Sequence, residues 1–398
     1  MNNRDYRSDY SAGPTSAANQ IANEVQIAFT GTEGDVYVVL ATCCGRGDGA
    51  VVEIGVQDNN GSDVWRHRLA MKDTATDYFS APIMFLYTVP AGGAVDLGVY
   101  LFSSGATSVT LRNTFIGMFK LLDTDAFVDG LTGSVDTTSD TTFAVCTNSA
   151  VTFDVPFAQD YLIITVGLSG KNSTAATFSV QTSVTDDELG TPTTTTYSDT
   201  IFRMVTVGVS NFWPYASVKK LTLAAGQCDI HIEHKVTTSG TVSTNIAILA
   251  IPVRTMPAVH ENEDTANFTT TSTTYVENTN IEDDYTLGAQ ETLLLSYGIQ
   301  WRAAANVEHQ MKSTYDGTTF HETSYESVAA SSQSKMVHMG GYTVTPTAGP
   351  HTIEQYLSKE STGVTAANLS DAAIVAIMFR DDATVWIMGA NIYGAMIY

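Results

Sequence analysis

Basic side chains are scarce in this chain of 398 residues, which holds 19 Lys and Arg against 42 Asp and Glu, a formal net charge of −23. A surface with that field repels phosphate, so neither nucleic acid nor an anionic membrane is expected as a partner. Charged residues make up only 15% of the chain and apolar residues 43%, a balance that excludes a disordered protein. The composition predicts a folded, acidic protein with packed cores.

Long hydrophobic runs are also missing. The chain has no stretch of about 18 apolar residues, so no membrane-spanning helix is expected. Its first 20 residues are polar and lack the apolar run of a secretory signal peptide. We therefore expect synthesis in a cytoplasm and no membrane partner.

Cysteine is rare, with four in the whole chain. Cys43 and Cys44 are adjacent, a spacing that strains a mutual disulfide. Cys146 and Cys228 both lie in the second third of the chain, and a sandwich fold would allow them to face each other. Free buried thiols are the preferred interpretation for all four. No CxxC motif is present, so no zinc or redox site of that type is predicted.

Sequence motifs of catalysis and metal binding are absent as well, among them Walker A, GxSxG and HExxH. His231 and His234, three apart on a strand, point to opposite faces and are not expected to share a metal ion. The acidic stretches, such as residues 186–188, match no calcium-loop spacing. We expect no catalytic residues, no metal, no cofactor and no enzyme activity. A carbohydrate-active enzyme with two unmarked carboxylates stays an alternative.

Four further histidines lie in the last third of the chain, and one alternative is that their side chains come together in the fold. Each sits beside polar residues or residues typical of strands, and exposed positions on the surface are the preferred interpretation. The four are His309, His321, His338 and His351.

Threonine is the most distinctive component, with 56 of the 398 residues. It is β-branched, disfavoured in helices and suited to the exposed face of strands. Stretches such as residues 191–197 and 269–275 consist almost wholly of Thr, Ser, Tyr and Pro and cannot start a helix. The chain is therefore predicted to be all-β.

A pattern of strands recurs three times, with a period of about 125 to 130 residues. Each repeat opens with one short apolar run and closes with another. The opening runs are Val36–Leu40, Tyr161–Thr165 and Thr292–Ser296, and the closing runs are Thr114–Phe119, Asn245–Ile251 and Ala373–Phe379. Short runs separated by turn residues are typical of an antiparallel sandwich or jelly roll.

We predict three tandem antiparallel β-sandwich (jelly-roll-like) domains with a polar N-terminal arm and an apolar C-terminal strand. The domains span residues 21–122, 143–254 and 268–380. Polar, acidic linkers are expected at 123–142 and 255–267, the arm at 1–20 and the apolar segment at 381–398.

The last fourteen residues carry no charged side chain and would favour aggregation if left in water. One interpretation is a final strand that closes the third sheet; the other is an assembly interface that binds another subunit. For the second interpretation the candidate contacts are Trp386, Ile387, Met388, Ile392, Tyr393, Met396 and Tyr398.

The segment Phe212–Tyr215 contains a proline that is expected to interrupt a strand and place Trp213 and Tyr215 on a loop. Aromatic rings on a loop form a stacking surface for a sugar or a protein partner. The alternative is that both rings pack at a corner under the sandwich.

These modules, residues 35–119, 161–251 and 292–379, together with the missing catalytic motifs, resemble virion structural proteins of tailed bacteriophages, of the capsid-decoration, head-fibre and tail or baseplate types. The resemblance implies a non-enzymatic virion protein made in the host cytoplasm. It also implies a homotrimer or other homo-oligomer that docks on other virion proteins. The main alternative is an adhesin that binds a receptor or a host surface glycan through Trp213 and Tyr215.

Overall fold

The computed structural model describes most of the chain as strands. The residues described are 3–12, 20–47, 51–59, 63–70, 79–104, 109–120, 127–129, 136–171, 177–188, 191–203, 211–237, 240–256, 258–264, 266–281, 283–302, 308–326, 335–359 and 366–378. Within these ranges no helix has the length and hydrophobicity needed to cross a membrane.

The strands fall into three consecutive sets. Sandwich 1 consists of β1 (Asn3–Ala12), β2 (Gln20–Thr30), β3 (Val36–Gly47), β4 (Val51–Asp58), β5 (Asp63–Ala70), β6 (Phe79–Ser80), β7 (Ile83–Thr88), β8 (Ala94–Ser104) and β9 (Val109–Lys120). Sandwich 2 consists of β10 (Phe127–Asp129), β11 (Asp136–Thr138), β12 (Ala144–Val155), β13 (Gln159–Lys171), β14 (Thr177–Glu188), β15 (Thr191–Arg203), β16 (Asn211–Leu223), β17 (Gly226–Val236) and β18 (Val242–Pro252).

A short 3₁₀ helix, Val253–Thr255, leads from sandwich 2 into sandwich 3. Sandwich 3 consists of β19 (Ala258–Asp264), β20 (Phe268–Thr270), β21 (Val276–Glu277), β22 (Asp283–Leu287), β23 (Thr292–Arg302), β24 (Glu308–Tyr315), β25 (Thr318–Glu326), β26 (Lys335–Val344), β27 (Gly349–Lys359) and β28 (Ala367–Met378).

All three sets have the same strand order. One sheet of each sandwich runs β1-β9-β3-β6, β10-β18-β13-β16 or β19-β28-β23-β26, and the other runs β2-β8-β4-β5, β12-β17-β14-β15 or β21-β27-β24-β25. If broken strands such as β6 and β7 are counted together, the orders are first-eighth-third-sixth and second-seventh-fourth-fifth, the double Greek key of a jelly roll. The all-β prediction with jelly-roll-like sandwiches is confirmed.

Strands lie in the segments that were predicted as arm and linkers. The N-terminal arm contains β1, which pairs with β9, and the two linkers contain β10, β11 and β19, which pair with β18 and β28. Each of these segments is the first strand of its sandwich. Edge strands carry polar and charged residues that discourage pairing with other chains, and so their sequences resemble linkers.

The cores explain where the apolar residues go. One cluster, which includes Val39, Phe85 and Leu97, fills sandwich 1 between its two sheets, and another, which includes Leu294 and Leu369, fills sandwich 3. The largest cluster fills sandwich 2 and extends onto the outer faces of its neighbours. The three cores are therefore joined, and a division into three independent domains stays a prediction.

Strand β3 shows how the cores join. Val39 and Ala41 belong to the cluster inside sandwich 1, whereas Val38 and Leu40 belong to the cluster shared with the other sandwiches. Successive side chains of a strand point to opposite faces, so both faces of β3 are buried. Burial on both faces requires a run of apolar residues without alternation, which is the pattern of Val36–Leu40.

Candidate functional site: the central junction and the buried histidines

The sheets that contain the third and eighth strands of each sandwich meet in a central junction. Its apolar residues from sandwiches 1 and 3 lie on the outer faces of those sheets and belong to the same cluster as the core of sandwich 2. They are Val38, Leu40, Met84, Phe115, Leu293, Leu295, Tyr297, Ile299, Val337, Met339, Ala373, Val375 and Ile377. Full burial of an aliphatic side chain of this size contributes about 1.5–3 kcal/mol. The junction thus holds the sandwiches together by the same effect that builds a core.

Sandwiches 1 and 3 also share hydrogen bonds at β26, which lies at the edge of its sheet. The hydroxyl of Ser80 donates to the carbonyl of Met339 over 2.7 Å and accepts from the Met339 N–H over 3.0 Å. The hydroxyl of Thr42 accepts from the N–H of Gly341 over 2.8 Å. Hydroxyls of sandwich 1 therefore satisfy backbone groups that an edge strand leaves unpaired.

The approach of the two sandwiches is close at Gly341. A Cβ placed there would lie 2.7 Å from Cδ1 of Phe115, a separation that real Cβ atoms do not tolerate. On the neighbouring strand β25, the backbone N–H of Glu322 donates to Oδ1 of Asn113 over 3.0 Å. Both β25 and β26 thus contact sandwich 1.

Sandwiches 2 and 3 meet through charged groups on β16 and β19. The ammonium of Lys219 lies 2.9 Å from Oε1 of Glu263, and the backbone N–H of Lys220 donates to Oε1 of Glu261 over 2.7 Å. Burial raises the pKa of Glu261 to about 7, against the opposing effect of the Lys220 hydrogen bond. The charge at this contact therefore changes near neutral pH.

Sandwiches 1 and 2 are joined through their backbones. Phe212 on β16 pairs in parallel with Leu69 on β5, which links one sheet of each sandwich into a single nine-stranded sheet. Leu168 on β13 packs into the cluster inside sandwich 1. Every pair of sandwiches is therefore in contact.

The histidines of sandwich 3 are buried, which makes the prediction of surface positions wrong. His309, His321 and His338 have no exposed surface, and His351 is 9% exposed. The first three lie on β24, β25 and β26. His338 lies between Val337 and Met339, which belong to the central junction, and because side chains alternate along a strand the ring of His338 points into sandwich 3.

The ring nitrogens of His321 and His338 have no hydrogen-bond partner among the described residues, and neither do the amide atoms of Gln300. Burial lowers the pKa of His321 to about 3. Burial also lowers the pKa of His338 well below its usual value, and the neighbouring rings of His321 and His309 lower it further. These two imidazoles are therefore neutral at pH 7. We call His309, His321 and His338 the histidine cluster.

His351 lies in a different environment at the rim of the same sandwich. Its Nδ1 is 2.8 Å from Oδ2 of Asp316 and 2.8 Å from the hydroxyl of Tyr315, and its Nε2 donates to the carbonyl of Thr347 over 2.7 Å. Burial lowers its pKa, but the bonds to Thr347 and Asp316 outweigh burial and raise it overall. His351 ties the β24–β25 turn to the loop before β27.

Trp213 and Tyr215 do not lie on a loop, and that expectation is wrong. Both belong to β16, which continues through Pro214. Tyr215 has no exposed surface, and its hydroxyl bonds to that of Thr182 across the sandwich over 2.8 Å. Trp213 is partly buried against the large cluster. The ring of Tyr215 has no face for a ligand, which corresponds to the alternative of packing under the sandwich.

The remaining sequence-based candidates are the cysteines, the metal ligands and the C-terminal segment. All four cysteines are buried and none forms a disulfide, so Cys146 and Cys228 are not bonded to each other. Among the described residues no group of His, Cys, Asp or Glu is arranged to hold a metal ion. The seven residues of the proposed C-terminal interface lie outside the described residues.

No protein-family model and no curated protein matches the sequence. Solved structures that align weakly with the chain include virus capsid proteins. A chain of Sulfolobus turreted icosahedral virus aligns over 92% of this chain and 85% of its own, with 10% identity and a TM-score of 0.21. VP2 of infectious bursal disease virus aligns over 96% and 82%, with 9% identity and a TM-score of 0.21. The tandem CBM22 domains of Paenibacillus barcinonensis Xyn10C align over 61% and 93%, with 11% identity and a TM-score of 0.20. Alignments at this level establish neither a family nor a function.

Proposed function

We propose that the chain is a non-enzymatic structural component of a virus particle that assembles with itself and docks on other virion proteins. The observation that carries the proposal is the central junction, in which three jelly rolls of one strand order contact each other in all three pairs. Jelly rolls occur widely in capsid proteins, though also in lectins and cupins, so the strand order alone does not decide the function.

The junction favours an architectural role because it makes one body out of three modules. Interfaces between domains of one chain are usually small and polar, and relative motion is then expected. Here the contact is apolar, and hydroxyl groups of sandwich 1 satisfy the backbone of β26. A body of fixed shape is what a repeating shell or fibre requires from its subunit.

The finer assignment follows the sequence resemblance. Under it the protein is a capsid-decoration, head-fibre or tail component of a tailed bacteriophage, is made in the host cytoplasm and is present in the virion. Its oligomer is a homotrimer or another homo-oligomer. The C-terminal segment, residues 385–398, supplies the contact between subunits, because its apolar residues gain about 25 cal/mol for each Å² that they bury on a partner.

The test is the mass of the full chain in solution, measured by sedimentation equilibrium over a range of concentrations at neutral pH. We expect a defined oligomer for the natural chain and a monomer after deletion of residues 385–398. The matched control is Phe157→Ser, which removes a side chain that is 52% exposed on sandwich 2. The control is expected to leave the oligomer unchanged.

Two outcomes would contradict the proposal. A natural chain that stays monomeric at all concentrations lacks the self-assembly that the proposed function requires. Saturable binding to one glycan on an array, lost in Trp213→Ala without loss of folding, would favour the adhesin instead.

A further inference from the structure

Two members of the histidine cluster share the interior of sandwich 3 with two other side chains whose polar atoms have no partner among the described residues. These atoms are the amide oxygen and nitrogen of Gln300, both ring nitrogens of His321 and of His338, and the hydroxyl of Thr323, seven in all. Each of the four residues is at most 1% exposed. Native cores leave few polar groups unpaired, because each one costs a large share of the small net stability of a domain.

Two of the four side chains lie on the inner face of the sheet that contains β23 and β26. Val337 and Met339 flank His338 and belong to the central junction, so His338 points inward. The Cα of His338 pairs with that of Gly298, and Gln300 lies two residues farther along β23, hence on the same face. Diagonal neighbours on paired strands are about 7–8 Å apart, within reach of long side chains. Gln300 and His338 therefore line one part of the interior.

The opposite sheet supplies the other two side chains from β25. Thr323 pairs with Met311, which packs in the core of sandwich 3, and His321 lies two residues away on the same face. The ring of His321 reaches across to Gly340 of β26, where any Cβ would overlap it. Gly340 and His338 are two residues apart on β26, about 6.6 Å along the strand. The rings of His321 and His338 are therefore neighbours between the two sheets.

In sandwich 2 the corresponding place is filled by a group that bonds directly to the opposite sheet. Tyr215 occupies the place that His338 has in sandwich 3, since each pairs with a glycine of the third strand. The hydroxyl of Tyr215 bonds that of Thr182 in the opposite sheet over 2.8 Å. In sandwich 3 none of the seven atoms lies within bonding distance of another described protein group. A small molecule between the sheets is what completes their hydrogen bonds.

The chemistry of the four side chains selects that molecule. Burial lowers the pKa of His321 and His338, so both rings are neutral at pH 7. A neutral imidazole offers one N–H donor and one acceptor nitrogen, and an amide and a hydroxyl also donate and accept. An anion would face the acceptors, and no group of described residues is arranged to hold a metal ion. Water donates and accepts at once, and a buried water makes about three hydrogen bonds to such groups.

We propose that the interior of sandwich 3 is a binding site for ordered water, held between the two sheets by Gln300, His321, Thr323 and His338. At about three bonds for each molecule, the seven atoms bind about two or three waters. The same bonds set which nitrogen of each ring carries the proton. Water thus links the two sheets of sandwich 3 at a place where sandwich 2 uses a direct bond.

The test is oxygen-17 magnetic relaxation dispersion of the full chain at neutral pH, which counts water molecules that exchange slowly with the solvent. The double variant Gln300→Met with His338→Leu replaces four of the polar atoms by apolar groups. We expect it to hold fewer slowly exchanging waters than the natural chain, by about two. Gln300→Met alone is expected to lose about one.

The matched control is Tyr215→Phe, at the corresponding place in sandwich 2. It removes a buried hydroxyl that bonds Thr182 directly, with no water between the two groups. The control is expected to leave the number of slowly exchanging waters unchanged. Because it also deletes a buried polar group, it separates the loss of a water site from a general loosening of the core.

A second measurement uses the natural chain and decides the question if the double variant does not fold. In a chain with isotope-labelled histidines, water held beside a ring gives cross-relaxation peaks between the water resonance and the carbon-bound protons of that ring. We expect such peaks for both His321 and His338.

The proposal is overturned if the folded double variant keeps the natural number of slowly exchanging waters, or if Tyr215→Phe loses as many as the double variant. It is equally overturned if water gives no cross-relaxation peak with either one of the two rings, because that ring then lies in a dry core.

Discussion

Sandwiches 2 and 3 share one strand order but differ in whether their buried histidines have hydrogen-bond partners in the protein. In sandwich 2 the hydroxyl of Thr244 lies 2.8 Å from Nδ1 of His234. Burial also lowers the pKa of this histidine, to about 4. In sandwich 3 the rings of His321 and His338 lie in the interior without such a partner among the described residues.

The difference shows that the same strand order accommodates a buried histidine with a hydrogen-bond partner in the protein and buried histidines without one. A buried donor or acceptor without a partner costs about 1–3 kcal/mol, whereas a paired one is nearly neutral or slightly stabilising. The bond between His234 and Thr244 therefore avoids this cost in sandwich 2. In sandwich 3 no described protein group relieves the ring nitrogens of His321 and His338 of that cost.

The largest expected effect comes from corresponding glycines on the third strands of the two sandwiches. A Cβ on Gly167 would overlap the backbone oxygen of Asn245, whereas one on Gly298 would meet the side-chain ends of Leu369 and Met311, at 2.8 and 3.1 Å. Backbone cannot move aside but flexible side chains can. We expect Gly167→Ala to cost about 3 kcal/mol or more and Gly298→Ala about 1 kcal/mol, measured by urea unfolding. Equal costs would mean that the two third strands are packed alike.

The next effect is the loss of stability when the buried histidine of sandwich 2 is left without its hydrogen-bond partner, as His321 and His338 are in sandwich 3. Thr244→Val keeps the shape of the side chain but removes the hydroxyl that bonds His234 and Ser169. We expect a loss of about 2 kcal/mol in the free energy of unfolding at pH 7.5, because a buried histidine loses its partner. The control Thr185→Val removes an exposed hydroxyl and is expected to change stability by less than about 0.5 kcal/mol. A loss no larger than that of the control would show that the buried pairing contributes nothing.

A smaller effect concerns the contact between the two sandwiches. The pKa of Glu261 is about 7 in the folded chain, above its usual value of 4.5, so the folded state holds its proton more tightly and loses stability as the pH rises from 4.5 through 7. We expect Glu261→Gln to raise the free energy of unfolding by about 1 kcal/mol at pH 8 and to leave it unchanged at pH 4. The control is Glu33→Gln, in an exposed turn. Melting temperatures at both pH values check it, and a gain that persists at pH 4 would exclude titration as the cause.

The smallest expected effect concerns His351, whose pKa is shifted in the direction opposite to those of His321 and His338. The bonds to Thr347 and Asp316 raise the pKa of His351, so its contribution is complete below pH 6.5 and is lost as the pH rises through the folded value. We expect His351→Gln to cost about 0.5–1 kcal/mol at pH 5.5 and less at pH 8.5, in urea unfolding. A cost that grows with pH would mean that neutral His351 makes the important bonds.

Much of the architecture was predictable from local patterns. Abundant Thr and short apolar runs indicated strands, and their recurrence indicated repeated sandwiches. The runs Val36–Leu40 and Thr292–Ser296 also held a signal for the central junction, because strands without alternation are buried on both faces. The weak points were edge strands, whose polar sequences resembled linkers.

The candidate sites were harder to predict for a physical reason. The position of a proline suggested a loop at Trp213 and Tyr215, yet β16 tolerates Pro214 within a strand that reaches the joint between two sheets. The sequence neighbours of the histidines in sandwich 3 are of both kinds, polar at His309 and apolar at His338, and only the register of β24, β25 and β26 decides which face each ring takes.

The amino-acid sequence by itself determined that this chain forms twisted antiparallel sheets in three similar sets, because strand propensity and turn chemistry act over a few residues. Tertiary structure alone decided which outer faces meet, which polar groups find partners and which histidines lose contact with the solvent. Those outcomes depend on residues up to 299 positions apart, as Thr42 and Gly341 are. Local composition indicates that a strand is buried on both faces, but it does not specify which distant residues pack against it.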